Sequence, residues 1–303
     1  MREHHQIVEV DGHRLRISNL DKVLYPETGT TKGEVLNYYA RVAPVLLPHL
    51  AGRAMTRIRW PNGTAESSFF EKNLPPGAPG WLRSVTVPST GSRGGGDTIT
   101  YPVVDSLAAL TYLANLGSLE LHVHQWKVGD DGQPENPDRL VIDLDPGAPA
   151  GLHECCEVAM LVRECLGELG LASAPVTSGS KGLHLYAALP GKLTADEVRD
   201  LAQDIAQDLS KAHSDLVLSK MTKSLRPGKV FLDWSQNTGS KTTITPYSLR
   251  GTAAPFVAAP RTWEEIEQGA AEKDGLPQCA MSEVLDRVDA EGDMFSRLMS
   301  GPS

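Results

Sequence analysis

The 303-residue sequence contains 40% hydrophobic residues, enough to bury a full core in one large domain or in two that pack closely. Its 29 basic and 38 acidic residues give a net charge of −9, which excludes indiscriminate coating of nucleic acid or membrane, so any nucleic-acid contact must be local. The four cysteines form no CxxC pair, and no apolar run is of signal-peptide or membrane-spanning type, so we expect a soluble, reduced, cytoplasmic protein with no membrane partner.

The first half of the chain predicts strands interrupted by two helices. Residues 7–18 read as a strand pair in which Asp11 and Gly12 provide the hairpin turn. Thr31 and Glu34 form a capping box that starts a helix, because each can satisfy a free backbone donor of the first turn. Further strands are predicted at residues 55–60, 84–87, 98–103 and 119–126, with a second helix at residues 107–116.

The second half alternates strands with helices. Strands are predicted at residues 139–145, 174–178, 182–189, 215–219 and 229–235. Helices are predicted at residues 153–169, from the capping boxes at Thr194 and Thr262, and near residues 284–288. The pattern indicates an α+β (mixed α/β) fold, and since no linker rich in Pro, Gly and Ser divides it, we expect residues 1–303 to form a single domain.

Three acidic residues at strand ends predict a divalent metal site. In LVIDLD, the strand period of two places Asp143 and Asp145 on one face, and Asp233 ends a second apolar strand. Unpaired carboxylates would repel each other there, and hard oxygen ligands select Mg²⁺ or Mn²⁺. Three acids make two-metal phosphoryl transfer possible. The alternatives are that the first two acids only cap the next helix, or that they belong to a hydrolase or glycosyltransferase.

A second polar segment lies between two predicted strands at residues 177–184. Its glycines, hydroxyls, Lys181 and His184 indicate a loop that binds a phosphate, although a solvated glycine hairpin is the alternative. On the strand at residues 119–126, Glu120, His122 and His124 share a face. Without a third His or Cys ligand nearby, hydrogen bonding to a sugar or phosphate is favoured over zinc binding, and core histidines remain an alternative.

Basic and aromatic side chains could provide local contacts to nucleic acid. Four of them lie in a loop before Asp233: Lys220, Lys223, Arg226 and Lys229. Further basic candidates are Lys22, Lys32 and Arg250. These cations could bind phosphates, but a charge run is more often a solvated face. Phe69 and Phe70 could stack on bases, or one ring could pack in the core.

Together these segments resemble the polymerase domain of bacterial ligase D, a branch of the archaeo-eukaryotic primase superfamily. The resemblance runs in order from about Ser18 to Pro260 and rests on the segments NLDKVLYP, RWPNG, FFEKN, LELHVHQW, VIDLDPG, TSGSKGLHLY, MTKSLRPGKVFLDWSQN and KTTITPYSLRG. It implies a fold in which an α/β N-terminal portion and an RRM-like portion surround one cleft.

The resemblance also implies roles for individual residues. The divalent-metal ligands and catalytic acids would be Asp143, Asp145 and Asp233. The nucleotide would be bound by His122 and Ser178 near its sugar, by Lys181, His184 and Arg250 on its triphosphate, and with support from Ser235 and Gln236. The DNA would be bound by Lys22 and Lys32 at a 5′-phosphate, by Phe69 and Phe70 against the template, and by Arg226.

The function implied by the resemblance is nucleotide addition during non-homologous end joining. Family members fill gaps and extend DNA ends from nucleoside triphosphates, prefer ribonucleotides, and work with Ku and a DNA ligase. No ligase or phosphoesterase portion is recognisable, since Lys273-Asp274-Gly275 lacks a residue of the KxDG nucleophile motif, so we expect polymerisation without sealing. The loop from Pro88 to Asp97 is where members could differ in end synapsis. A metal-dependent phosphohydrolase or nuclease, or a non-catalytic end-bridging module, is the alternative.

Overall fold

The protein is described by a computed structural model, which covers residues 5–88 and 98–301. The helices are α1 Lys32–Leu50, α2 Leu107–Asn115, α3 Leu152–Glu168, α4 Ala195–Ala212, α5 Trp263–Ala271, α6 Met281–Glu291 and α7 Met294–Met299. The strands are β1 His5–Val10, β2 His13–Ser18, β3 Val23–Tyr25, β4 Thr30–Thr31, β5 Met55–Arg59, β6 Phe69–Glu71, β7 Ser84–Pro88, β8 Thr98–Pro102, β9 Ser118–Val123, β10 Arg139–Pro146, β11 Ser173–Thr177, β12 Leu183–Ala188, β13 Val217–Leu218, β14 Val230–Asp233, β15 Thr243–Ile244 and β16 Ala259–Pro260.

A six-stranded sheet forms the centre of the fold, in the order β13-β14-β10-β12-β11-β16. The pairs are antiparallel apart from β13 with β14. Along β10 the side chains alternate: Leu140, Ile142 and Leu144 are buried in one core with α3 and α4, whereas Val141 lies in a second core on the other face. The carboxylates of Asp143 and Asp145 therefore point to the face that α3 and α4 leave free, as the strand period predicts.

A four-stranded sheet, in the order β15-β9-β5-β6, packs on the second face. Leu119, Leu121 and Val123 of β9 share a core with α1 and with Val141 and Tyr186 of the six-stranded sheet. The opposite face of β9 carries Glu120 and His122, as predicted. This sheet thus brings polar groups of β9 toward the same side of the molecule as the carboxylates of β10.

Local sequence signals explain where the longer elements begin. Complete capping boxes start α1 at Thr31, α4 at Thr194 and α5 at Thr262, as predicted. The β1–β2 turn has positive φ at both Asp11 and Gly12, which matches the hairpin turn predicted there. The short elements β3, β4, β6 and α7 were not predicted, and α6 is longer than expected. No helix of the described ranges has both the length and the apolar character needed to cross a membrane.

Gly182 is required for the close approach of the turn before β12 to the central strand. A Cβ at this position would lie 2.2 Å from the backbone oxygen of Leu144 on β10. We expect Gly182→Ala to lower the free energy of unfolding in urea by about 1–3 kcal/mol or more, because the backbone must move to relieve the overlap. Gly167→Ala is the matched control: its Cβ would meet nothing within 4 Å inside α3, so stability should rise by about 0.5–1 kcal/mol. Equal stability of Gly182→Ala and the wild type would contradict the packing described here.

Candidate active site

Asp143, Asp233 and His184 lie in one row across the six-stranded sheet. The strand register places Asp143 directly opposite Asp233 of β14 on one side and His184 of β12 on the other. His184 Nε2 lies 3.3 Å from Asp143 Oδ1. The amide of Gln236 donates to both acids, at 3.4 Å to Asp143 and 3.3 Å to Asp233. The structure therefore brings two of the three predicted acids together with His184, predicted to contact the triphosphate, and Gln236, predicted to support the site.

The carboxylate of Asp145 is bound by two cations. Lys181 Nζ lies 2.7 Å from one of its oxygens and an Arg226 terminal nitrogen lies 2.7 Å from the other. Within residues 5–88 and 98–301, no group of three or more His, Cys, Asp and Glu side chains is arranged to hold a metal ion. The predicted cluster of three carboxylates is thus not preformed, because Asp145 faces Lys181 and Arg226 and not the other two acids.

The charge state of Asp143 is set by its neighbours. Burial by itself would raise the pKa of this carboxyl, but the adjacent His184 imidazole, the charge of Arg250 and the Gln236 amide hold the pKa below its ordinary value. The group is therefore an anion at neutral pH, as a ligand for a hard cation must be.

Asp233 begins a short 3₁₀ helix at Trp234–Asn237, whose Ser235 amide and hydroxyl both donate to its carboxylate. Lys241 donates to the Ser235 hydroxyl and lies 3.8 Å from Asp233. The Asn237 side chain donates to the carbonyl of Val141 and accepts from the amide of the same residue, which ties the 3₁₀ helix to β10. Sequence reasoning missed Lys241 and Asn237, since both contacts depend on how this helix folds back on the sheet.

The turn from Ser178 to Gly182 is stabilised by its own hydrogen bonds. Ser178 Oγ accepts from the amides of Ser180 and Gly182, at 3.2 and 3.1 Å. The amide of Gly179 donates to the side-chain oxygen of Gln278, at 2.9 Å. The amides of Gly179 and Gly182 therefore already have partners within the protein in this arrangement. The Ser178 hydroxyl hydrogen and the Lys181 ammonium remain the donors that could reach a ligand.

A set of buried polar groups lies on the face of β9 that carries Glu120 and His122. Glu120 accepts from His122 at 2.8 Å, from Arg250 at 3.2 Å and from the amide of Gly251 at 3.0 Å. Burial opposes ionisation of Glu120, but these donors keep its pKa below the ordinary value. Burial lowers the pKa of His122, and the charge of Glu120 opposes this shift only in part, so the imidazole is neutral near pH 7.

His124 lies apart from this set. Its ring packs against Tyr101 and Trp126, and its Nδ1 is 3.0 Å from the carbonyl oxygen of Ala54. Although strand alternation puts His124 on the same face as His122, it is a core histidine and does not form a metal pair with His122.

Lys22 and Lys32 are neighbours at the start of α1. The amide of Lys32 donates to the carbonyl of Lys22. The ammonium of Lys32 donates to the carbonyl of Ser18, and that of Lys22 to the carbonyl of Pro61. Burial, with a smaller contribution from the charge of Lys22, lowers the pKa of Lys32 to about 8. The two lysines therefore form a compact basic pair in which the charge of Lys32 changes close to physiological pH.

The two phenylalanines that were predicted to contact the template are exposed. Phe69 and Phe70 on the edge strand β6 have 52% and 57% of their surface accessible, so neither ring packs in the core. The helix-capping alternative for the first two acids is wrong, since the residue that caps α3 is Gly151, whose amide donates to Glu154. The predicted synapsis loop at residues 88–97 lies outside the described residues from residue 89 onward.

Comparison with known proteins identifies the family to which this arrangement belongs. The family described as the LigD primase-polymerase domain matches residues 31–295. The chain belongs to the LigD primase-polymerase domain family. Membership of this family implies a polymerase, that is, a nucleotidyltransferase, and the structure has the archaeo-eukaryotic primase-like fold that the motifs predict.

Relatives of the LigD family support this assignment over nearly the whole chain. The multifunctional non-homologous end joining DNA repair protein LigD of Mycobacterium tuberculosis is 51% identical over 290 residues, which are 94% of this chain and 37% of that protein. The bifunctional LigD of Bacillus subtilis is 32% identical over 95% of this chain and 45% of its own length. The chain therefore spans less than half the length of these curated relatives.

A solved structure of the family has the same fold. The polymerase domain from Mycobacterium tuberculosis ligase D in complex with DNA superposes with a TM-score of 0.88 at 48% identity, covering 96% of this chain and 99% of that one.

Proposed function

We propose that this chain extends the 3′ end of a nucleic-acid primer by nucleotidyl transfer from a nucleoside triphosphate, in gap filling and end extension during non-homologous end joining. The observation that carries the proposal is the row formed by Asp143, Asp233 and His184 beside the turn that carries Lys181. An acidic pair alone would suit several metal enzymes. The relationship to the LigD polymerase domains makes polymerisation the preferred reaction.

The acids fit a site for two divalent ions, Mn²⁺ or Mg²⁺. Asp143 is ionised and lies opposite Asp233, and the side-chain amide of Gln236 donates to both, so the two carboxylates already lie close together. Asp145 would join them on exchanging Lys181 and Arg226 for a cation. When bound, such ions lower the pKa of an attacking hydroxyl and neutralise charge on the phosphates.

The other polar groups have separate roles in the proposal. Once Lys181 leaves Asp145, its flexible ammonium binds the triphosphate, with Arg250 and His184 on the same side. Neutral His122 and the Ser178 hydroxyl bind the ribose, which gives a preference for ribonucleotides. Ser235 and Gln236 hold the carboxylates in position.

Other residues are proposed to contact the DNA. Lys22 and Lys32 bind the 5′-phosphate at a gap or end, and Phe69 and Phe70 stack against the template. Arg226, released from Asp145, binds the DNA backbone. The proposal includes action in the cytoplasm together with Ku and a DNA ligase.

The product distinguishes the proposed reaction from its alternatives. Incubation with Mn²⁺, ribonucleoside triphosphates and a gapped DNA bearing a 5′-phosphate should give longer primer strands and pyrophosphate. Shorter strands or inorganic phosphate would indicate a nuclease or phosphohydrolase using the same acids. Tight binding of DNA ends without any extension would indicate an end-bridging module.

The preference for a 5′-phosphate should depend on pH through Lys32. A pKa of about 8 means that this ammonium loses its proton as the pH rises from 7 to 9, whereas the phosphate, whose second pKa is about 6, keeps its charge. We expect the ratio of DNA affinities with and without the 5′-phosphate, measured by fluorescence anisotropy, to fall across this range. The same ratio should be flat with pH in Lys32→Met. A ratio in the wild type that does not change with pH would exclude Lys32 as the titrating contact.

A further inference from the structure

A recess lies at the end of β10 opposite to the carboxylates of Asp143 and Asp145. It has a volume of about 300 Å³ and is lined by side chains that include Arg53, Lys127 and Arg139, with Pro48 and Phe295 as apolar walls. Arg139 begins β10, and Asp143 lies four residues further along, so a strand rise of about 3.3 Å per residue separates the two positions by roughly 13 Å. The recess is therefore distinct from the proposed active site.

Two buried arginines form the floor of this recess. Arg53 and Arg139 are each only 4% exposed. Arg53 binds both oxygens of Asp138 at 2.7 Å, while its Nε is buried with no hydrogen-bond partner among the described residues. Arg139 donates from Nε to Gln125 at 2.9 Å, and its guanidinium lies 5.7 Å from the centre of the Tyr186 ring. Its two terminal nitrogens have no hydrogen-bond partner within residues 5–88 and 98–301.

The charges around the recess are not balanced. Asp138 is shared by Arg53 and by Lys127, whose Nζ lies 3.3 Å away, and the charge of Arg139 also acts on it, so one carboxylate faces three cations. Burial, with a smaller contribution from the charge of Arg53, lowers the pKa of Arg139 to about 9, and Tyr186 and Asp138 oppose this shift only in part. A buried cation whose charge is not fully balanced destabilises the folded protein, and a bound anion would offset this loss of stability.

We propose that this recess binds a small phosphate-bearing anion, inorganic phosphate or a phosphomonoester, on the terminal nitrogens of Arg139. The planar guanidinium presents two parallel donors to a phosphate, and Lys127 at the rim supplies a second positive charge. A phosphodiester within a duplex is excluded, because a guanidinium that is 4% exposed at the floor of a recess is out of its reach. The apolar walls at Pro48 and Phe295 accommodate the carbon portion of an ester.

The test is isothermal titration calorimetry of the whole chain with inorganic phosphate, and separately with glycerol 3-phosphate. All titrations use a background with Lys22→Met, Lys32→Met and Lys181→Ala, so that the lysines proposed to bind the 5′-phosphate and the triphosphate do not contribute. Heat of binding should persist in this background and should weaken by about tenfold or more in Arg139→Gln, which removes charge-assisted hydrogen bonds. Lys127→Gln should weaken it by a smaller factor. Lys211→Gln, an exposed lysine on α4, is the matched control and should change nothing.

The outcomes decide both the site and the ligand. Tighter binding of glycerol 3-phosphate than of phosphate would assign the site to phosphomonoesters, and equal affinity would assign it to the phosphate group alone. If Arg139→Gln does not fold, as judged by circular dichroism, the charge reversal Lys127→Glu at the exposed rim takes its place and should abolish binding. No binding at millimolar phosphate in the background that lacks Lys22, Lys32 and Lys181, or binding unaffected by Lys127→Glu, would overturn the proposal. This binding test does not depend on the proposed polymerase activity, so a wild-type protein that fails to extend a primer would not change its interpretation.

Discussion

Asp143→Asn should reduce primer extension by about 1,000-fold while leaving DNA affinity within about twofold of the wild type. The substitution keeps the size of the side chain and its position in β10, but removes the anion opposite Asp233. Divalent ions contribute several kcal/mol to transition-state stabilisation in phosphoryl transfer, and each 1.36 kcal/mol corresponds to a factor of ten in rate. The loss should appear in the rate of nucleotide addition at saturating DNA, measured with Mn²⁺ on a gapped substrate.

Asp200→Asn provides the control for this experiment. Asp200 is an exposed carboxylate on α4, 60% accessible, and its partner is the neighbouring Arg199. Extension by this variant should match that of the wild type. Loss of the charge of a metal ligand should slow nucleotide addition strongly. If Asp143→Asn retained more than about a tenth of the wild-type rate, this carboxylate would not be a metal ligand.

The double variant Lys22→Met and Lys32→Met should lose discrimination for a 5′-phosphate. Each proposed contact is a charge-assisted hydrogen bond worth about 1.5–3 kcal/mol, so the affinity for phosphorylated gaps should fall by about 10- to 100-fold or more. Affinity for the same DNA without the phosphate should change little. Methionine retains most of the buried aliphatic stem of Lys32, which is 5% exposed, so a loss of packing should not confuse the result.

The matched control here is Lys211→Met. This lysine is exposed on α4 and pairs with Asp208 on the same helix, so removal of its charge tests whether any lost positive charge weakens DNA binding. Unchanged discrimination in the double variant would show that the 5′-phosphate binds elsewhere. An equal loss of affinity for both DNAs would instead assign the lysines to general backbone contacts.

Much of the fold followed from the periodicity of the sequence. The alternation of Leu140, Ile142 and Leu144 with Val141 and the two acids was enough to predict which face of β10 carries the carboxylates. Capping boxes located the starts of three helices, because the signal is complete within four residues. Elements of two or three residues, such as β3, β4 and β6, contain too few positions for a period to be visible.

The candidate site was predictable only in part. Residue types and strand position indicated Asp143 and Asp233, but their direct opposition depends on the register between β10 and β14, which local sequence does not determine. The partners of Asp145, and the hydrogen bond from the Gly179 amide to Gln278, join segments far apart in the chain. Lys241 and Asn237 act through the 3₁₀ helix after Asp233, for which no capping or periodic signal was recognised.

Anomalous diffraction at the manganese edge can show whether the three carboxylates bind metal ions, using crystals of the chain with gapped DNA, Mn²⁺ and a non-hydrolysable nucleoside triphosphate. Manganese should appear in contact with Asp143, Asp145 and Asp233, with the carboxylate of Asp145 turned away from Lys181 and Arg226. A bound triphosphate with no manganese at these carboxylates, or with Asp145 still paired to Lys181 and Arg226, would rule out the proposed metal site.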